Sequence, residues 1–204
     1  MQPTLISDFE HDMDWLRNLE HHLDALHNLS FPLRLWIRDK GVITRELPIL
    51  SLRRVAKKLK LQLQWSWCHR HEAQAHEWLH IPDDDQLRET SIADSGRRIL
   101  SCHAIPHAEL LLKAYPADHV LLSPWAPSLS KYNHNQPLNR DQAIGLAQRY
   151  PDRIHLTSGL TPSDFKSLNS YPFASLCLLG ALRGNMASCL EQLQAQYRAV
   201  SSPR

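Results

Sequence analysis

Several short groups of residues in this 204-residue chain combine charge, hydroxyl and imidazole at spacings suited to phosphorylated molecules. Arg38 and Lys40 stand two apart, so on an extended segment both cations project to the same side. One offers a planar fork for phosphate oxygens and the other a point charge. Further on, Ser128, Ser130 and Lys131 follow the two prolines of the stretch Ser123-Pro-Trp-Ala-Pro-Ser-Leu-Ser-Lys131. Hydroxyl donors beside an ammonium on a stiffened loop make a cradle for an anion, although a solvated turn has the same composition. Ser101 and His103 supply a hydroxyl and a potential acid or base, or else a satisfied core histidine. His69 and His71 could ligate a metal or donate to phosphate, but among thirteen histidines a chance cluster is the plainer reading. The run Asp83, Asp84, Asp85 suits Mg²⁺, and equally suits the positive end of a helix that follows it. Gly159 and Gly180 are two of only six glycines, placed where backbone amides could approach an anion or where the chain simply turns.

Such groups need a scaffold, and the hydrophobic pattern predicts one. Short apolar runs over 4–7, 33–37, 61–67, 78–81, 98–103, 119–123, 153–157 and 174–179 read as strands, several of them apolar on both faces. Amphipathic segments over 12–29, 48–59, 84–94, 106–114, 140–149, 162–168 and 185–200 read as helices. The segment after the third strand is the shortest, with a turn or two expected over 72–77. Thr161 before Pro162 and Asn139 three residues before Gln142 are helix-start signals. Eight strand–helix units at about 25 residues each predict a parallel sheet closed into a small (β/α)8 barrel of one domain spanning 1–204. An open doubly wound sheet is the alternative, but no GxGxxG follows its first strand. In a barrel the groups above fall where strands end and loops begin, which is the catalytic rim.

Composition narrows the classes. With 43% hydrophobic and 22% charged residues the chain is an ordinary globular protein; its net charge of +2 argues neither for nor against nucleic acid, and its positive charges are scattered. Its densest basic run, 53–60, fits the wet face of a helix. No apolar window is long enough to span a bilayer, and no secretion signal precedes Asp8 and Glu10. Four cysteines without a CxxC pair read as thiols in a reducing, cytoplasmic setting.

Together the motifs resemble those of thiamine phosphate synthase and its thiazole tautomerase relative, a TIM-barrel family. The likeness runs from Leu5 to about Asn185. Arg38-x-Lys40 is similar to the pyrophosphate-binding Arg-x-Lys ending the family's second strand. His80 with Asp85 resembles its strand-four motif, and Ser101-x-His103 its strand-five Ser-x-His. The stretch 123–131 looks like Gly-Pro, two apolar residues, then Pro-Thr-x-Thr-Lys. Ser158-Gly159-Leu160 and Leu179-Gly180-Ala181 stand where the family binds phosphate.

The resemblance implies a reaction: hydroxymethylpyrimidine pyrophosphate is joined to thiazole phosphate, releasing pyrophosphate, with early C–O cleavage. It implies Arg38, Lys40 and Lys131 on pyrophosphate, Asp85 on Mg²⁺, and Ser101, Ser128 and Ser130 on substrate. It also implies backbone at Gly159 and Gly180 on the thiazole phosphate. The expected partners are small phosphorylated substrates, with no nucleic acid and no membrane, and a homodimer is compatible with this. One departure stands out. Where the family carries Asn-Asp at strand three, this chain reads Trp65-Ser-Trp-Cys-His-Arg-His71, so either His69 and His71 replace those contacts, with Mg²⁺ held by Asp85 alone, or synthase activity is reduced or lost. Two alternatives follow: an isomerase of the tautomerase kind using His103, or a barrel that binds a phosphate ligand without catalysis.

Overall fold

The structure, a computed structural model, describes residues 1–7, 14–25, 31–38, 48–83, 97–127, 136–179 and 185–201. Eight parallel strands close on themselves in chain order: β1 (Gln2–Ile6), β2 (Arg34–Ile37), β3 (Gln62–Ser66), β4 (Trp78–Ile81), β5 (Arg97–Cys102), β6 (His119–Leu122), β7 (Ile154–Thr157) and β8 (Ser175–Leu178). β8 returns to β1 with Gln2 opposite Ser175 and Leu5 opposite Leu178, which seals the barrel. The expected eight strands are all present, with boundaries shifted by no more than two residues.

Outside the strands lie α1 (Trp15–Ala25), α2 (Ile49–Lys58), α3 (Ile105–Ala114), α4 (Arg140–Arg149), α5 (Pro162–Leu168) and α6 (Met186–Ser201). The helix expected over 84–94 lies outside the described residues. The cap readings hold. Asn139 Oδ1 accepts from the Gln142 amide at 3.0 Å at the start of α4. Asp164 Oδ2 accepts from the Thr161 amide and hydroxyl, both at 2.8 Å, at the start of α5. A third cap went unread: Asn185 Oδ1 accepts from the Ser188 amide at 2.9 Å and opens α6.

Strand alternation sorts the side chains into two shells. Leu5, Leu35, Trp65, Leu100, Leu122 and Leu156 point outward into the main core beneath the helices. Ile6, Trp36, Trp78, Ile99, Leu121 and Cys177 point inward and form a smaller cluster that fills the lumen. The lumen is only half apolar, because Arg34, Gln64, Ser66, His80, His155 and Ser175 are also buried in it.

The β3–β4 connection differs from expectation. Its helical turn is a 3-10 helix over Trp67–Glu72, directly after β3, and residues 73–77 are not helical. The reason is Glu77, which is only 6% exposed. Its carboxylate accepts from Trp65 Nε1 at 2.7 Å, the Gln74 amide at 2.9 Å and Arg53 Nη1 at 2.8 Å. Tying residues 74–77 to that carboxylate leaves no room for a helix there. It also corrects the reading of Arg53, which turns from α2 toward Glu77 and the Trp65 ring rather than to solvent.

Candidate active site at the strand C-termini

The inward residues at the C-terminal ends of the strands build the rim. Arg38 follows β2 half-buried, and its backbone amide donates to Ser7 Oγ at 2.9 Å. Ser7 in turn donates its amide to the Trp36 carbonyl, so the ends of β1 and β2 are locked beside each other. Trp36 Nε1 donates to Ser66 Oγ at 3.2 Å, and the Trp36 ring lies 4.4 Å from that of His80.

Ser101 and His103 do share the inward face, as alternation predicts, but they serve different partners. His80 Nε2 lies 2.8 Å from Ser101 Oγ, bridging β4 and β5. His103 Nδ1 lies 2.9 Å from Ser123 Oγ and 3.0 Å from the Ser123 carbonyl oxygen. A carbonyl can only accept, so Nδ1 carries a proton, which leaves Nε2 as the nitrogen able to act as a base. From sequence, His80 and Ser123 stand only inside motifs without a role of their own, and Ser66 stands in the Trp65–His71 run without one. The signal was there in the period-two alternation, which places Ser123 inward two residues after Leu121.

The stretch after β6 is laid across the rim rather than held away from it. The Ser123 amide donates to the Cys102 carbonyl at 3.1 Å, the Trp125 amide to Thr157 at 3.0 Å, and the Ala126 amide to Ser158 at 3.1 Å. Trp125 is buried and packs toward Phe173, with the Arg140 guanidinium 5.1 Å from its ring. This packing explains Gly159. Its φ is +73°, and a Cβ there would sit 2.5 Å from the Ala126 carbonyl oxygen, so no other residue fits.

His69 and His71 lie on the 3-10 helix after β3, with His69 half-buried, His71 exposed, and their rings 6.3 Å apart. His71 Nε2 approaches Glu72 Oε1 at 3.6 Å. Lys40, Asp85, Ser128, Ser130, Lys131 and Gly180 lie outside the described residues. Magnesium needs hard oxygen donors. Among the described residues there is no group of three or more His, Cys, Asp or Glu that could hold a metal.

Deeper in the lumen lies a second set of polar groups. His119 Nδ1 and His155 Nε2 are 3.0 Å apart, and His155 Nδ1 is 2.6 Å from Ser175 Oγ. Burial, with help from Arg153, Arg34 and Arg97, pushes the His119 imidazole down to about 4. Burial and then Arg34 push His155 in the same direction, well below its ordinary value. Both rings are neutral at pH 7. The Cys177 thiol, pushed up by burial to about 11, is protonated.

No protein-family model matches the chain, and no curated protein matches it. Solved structures do share its fold. Thiamine phosphate pyrophosphorylase from Pyrococcus furiosus superposes with a TM-score of 0.69 at 10% identity, over 98% of this chain and 96% of the other. The pyrophosphorylase of the same name from Bacteroides thetaiotaomicron gives 0.61 at 12% identity, over 98% of both chains. A structure described as native KDPGal gives 0.61 at 12% identity, over 97% and 94%. Likeness at these identities establishes the fold, a thiamine phosphate synthase-like (β/α)8 barrel, along the whole chain. Among the described residues no helix is long and apolar enough to cross a membrane.

Proposed function

We propose that the protein is a thiamine phosphate synthase-like transferase, joining hydroxymethylpyrimidine pyrophosphate to thiazole phosphate with release of pyrophosphate. The observation that supports this most is the position of Arg38. It ends β2 of a barrel that matches thiamine phosphate pyrophosphorylase from end to end, and the motif expected there is a pyrophosphate-binding Arg-x-Lys. A departing pyrophosphate gathers negative charge as its C–O bond breaks, and fixed cations at the rim stabilise that charge. In this reading Arg38, Lys40 and Lys131 hold the leaving group, and Ser101, Ser128 and Ser130 orient the substrates. Backbone at Gly159 and Gly180 holds the thiazole phosphate. Asp85 would hold magnesium, which would help neutralise the departing pyrophosphate. The test is product formation from both substrates in the presence of Mg²⁺. Thiamine phosphate should form, and turnover that survives Arg38→Ala and Lys131→Ala together would overturn the assignment.

A second reading has its own observation. With Nδ1 held on the Ser123 carbonyl, His103 presents a basic Nε2 at the rim, as a metal-free isomerase of the thiazole tautomerase kind requires. It also accommodates the missing Asn-Asp pair after β3. Assay of thiazole carboxylate isomerisation before and after His103→Ala separates it from the transferase and from a barrel that only binds a phosphate ligand. The last of these predicts tight thiazole phosphate binding with no turnover in either assay.

A further inference from the structure

Arg34 is 3% exposed, inside the lumen at the N-terminal end of β2, far down the strand from Arg38. Its Nη2 donates to Gln2 Oε1 at 3.0 Å, but Nε and Nη1 have no acceptor, and it makes no ion pair among the described residues. Its guanidinium lies 4.4 Å from the centre of the Trp78 ring, whose own Nε1 is also buried without an acceptor. On β3, the strand between them, Gln64 is fully buried with neither its amide nitrogen nor its oxygen paired. Three inward residues on three adjacent strands therefore point orphaned donors into one packed lumen. Each such group is costly to bury unless something accepts from it.

The charge balance identifies what kind of group that is. Of the ionisable side chains described in the lower lumen, His119 and His155 are neutral and Cys177 is a protonated thiol. Arg34 keeps its charge even though burial lowers it to about 10. The enclosed region thus carries the Arg34 charge and a surplus of N–H donors, with the exposed Arg97 guanidinium 5.5 Å from the same Trp78 ring. A packed wall of Trp36, Trp78, Ile99 and Leu121 limits the occupant to a small one. We propose that the lower lumen binds one monovalent anion of halide size, held by Arg34 with the indole N–H of Trp78 and the amide of Gln64. The rim chemistry does not depend on this site, since Arg34 lies at the opposite end of β2 from Arg38.

Crystals of the full chain grown in sodium bromide, with data collected at the bromine edge, test the proposal directly. An anomalous peak touching the Arg34 guanidinium and Trp78 Nε1 is expected, and density of ordered water alone at that place would overturn it. In solution, sodium gluconate is exchanged for bromide at fixed ionic strength. The wild-type Tm should rise by about 3–5 °C for each tenfold increase above the bromide Kd. Arg34→Met should abolish that dependence. Trp78→Phe keeps the ring for Arg34 and removes only the N–H, so it serves even if Arg34→Met does not fold. It should weaken bromide by about ten- to a hundredfold, the usual loss for one hydrogen bond to a charged group. A wild-type Tm indifferent to bromide, or an unchanged bromide dependence in Trp78→Phe, would overturn the inference.

Discussion

His103 Nδ1 sits 3.0 Å from the Ser123 carbonyl oxygen and 2.9 Å from the hydroxyl of the same residue. The two contacts are not equivalent. The carbonyl alone suffices to fix the tautomer, because it can only accept, whereas a hydroxyl could do either. Under the isomerase reading, His103→Ala should therefore lower the rate of thiazole carboxylate isomerisation by roughly 10²–10⁴-fold, the usual contribution of a positioned base. Ser123→Ala keeps the carbonyl and should lose less than about tenfold on the same scale. Initial rates of the two variants check this. A Ser123→Ala variant as slow as His103→Ala would mean that the hydroxyl itself takes part in the chemistry.

Gly159 carries a prediction about folding. An alanine there would meet the Ala126 carbonyl oxygen at 2.5 Å while holding a φ of +73°. The left-handed conformation alone costs a non-glycine residue about 1–2 kcal/mol, and displacement of the 123–126 segment adds to it. Gly159→Ala should lower stability by about 2–3 kcal/mol, seen as a Tm drop of roughly 5–10 °C for a chain of this size. Urea denaturation measures it. Gly145→Ala is the control, since a Cβ there meets only the end of the Arg149 side chain at 3.9 Å.

These two residues also show how far the sequence could be read. Strand positions were legible because short apolar runs alternate with amphipathic segments, and the closed barrel follows from their number. Gly159 could be placed at a strand end, but its cause could not. That cause is the carbonyl of Ala126, a residue distant in sequence whose loop crosses the rim. Likewise Ser101 and His103 were found together by spacing, yet their partners His80 and Ser123 lie on neighbouring strands about twenty residues away. Arg53 read as part of a wet helix face because one buried carboxylate, Glu77, is invisible to a local charge pattern. Periodicity reports which way a residue faces. It does not report what waits there.

Glu77 should be a sensitive carboxylate outside the rim. It is buried, it accepts from Trp65 Nε1 and the Gln74 amide, and it pairs with Arg53 at 2.8 Å. Arg53 also donates to the Glu72 carbonyl. Glu77→Ala leaves three donors without an acceptor and should cost about 3–5 kcal/mol, as breaking a buried pair does. Glu77→Gln keeps an acceptor for Trp65 or Gln74 and should cost clearly less. Arg53 is about a quarter exposed, so Arg53→Met should be milder than Glu77→Ala, because water can reach what it leaves behind. Urea midpoints of the three variants test that order, and a Glu77→Ala variant no worse than Arg53→Met would contradict it.

Acid should unfold the protein from the lumen outward, and the sign follows from His119 and His155. Burial is the main cause holding both rings neutral, with Arg34 beside each, Arg153 and Arg97 near His119, and His80 near His155. In the unfolded chain a histidine takes up a proton near 6.5, whereas folded His119 does so only at about 4. Above pH 6.5 both states are neutral, and the pair contributes no pH dependence. Between 6.5 and 4 the unfolded state binds protons that the folded state refuses, so stability falls as pH falls. His155 shifts in the same direction and adds to the loss. Tm should thus be level from pH 8 to 7 and decline steadily below 6.5. His155→Gln, which retains polar atoms near Ser175 but cannot ionise, should be less stable at pH 7.5 and yet show a shallower acid slope. Thermal melts across that range decide it: an unchanged slope in His155→Gln would place the acid-sensitive groups elsewhere.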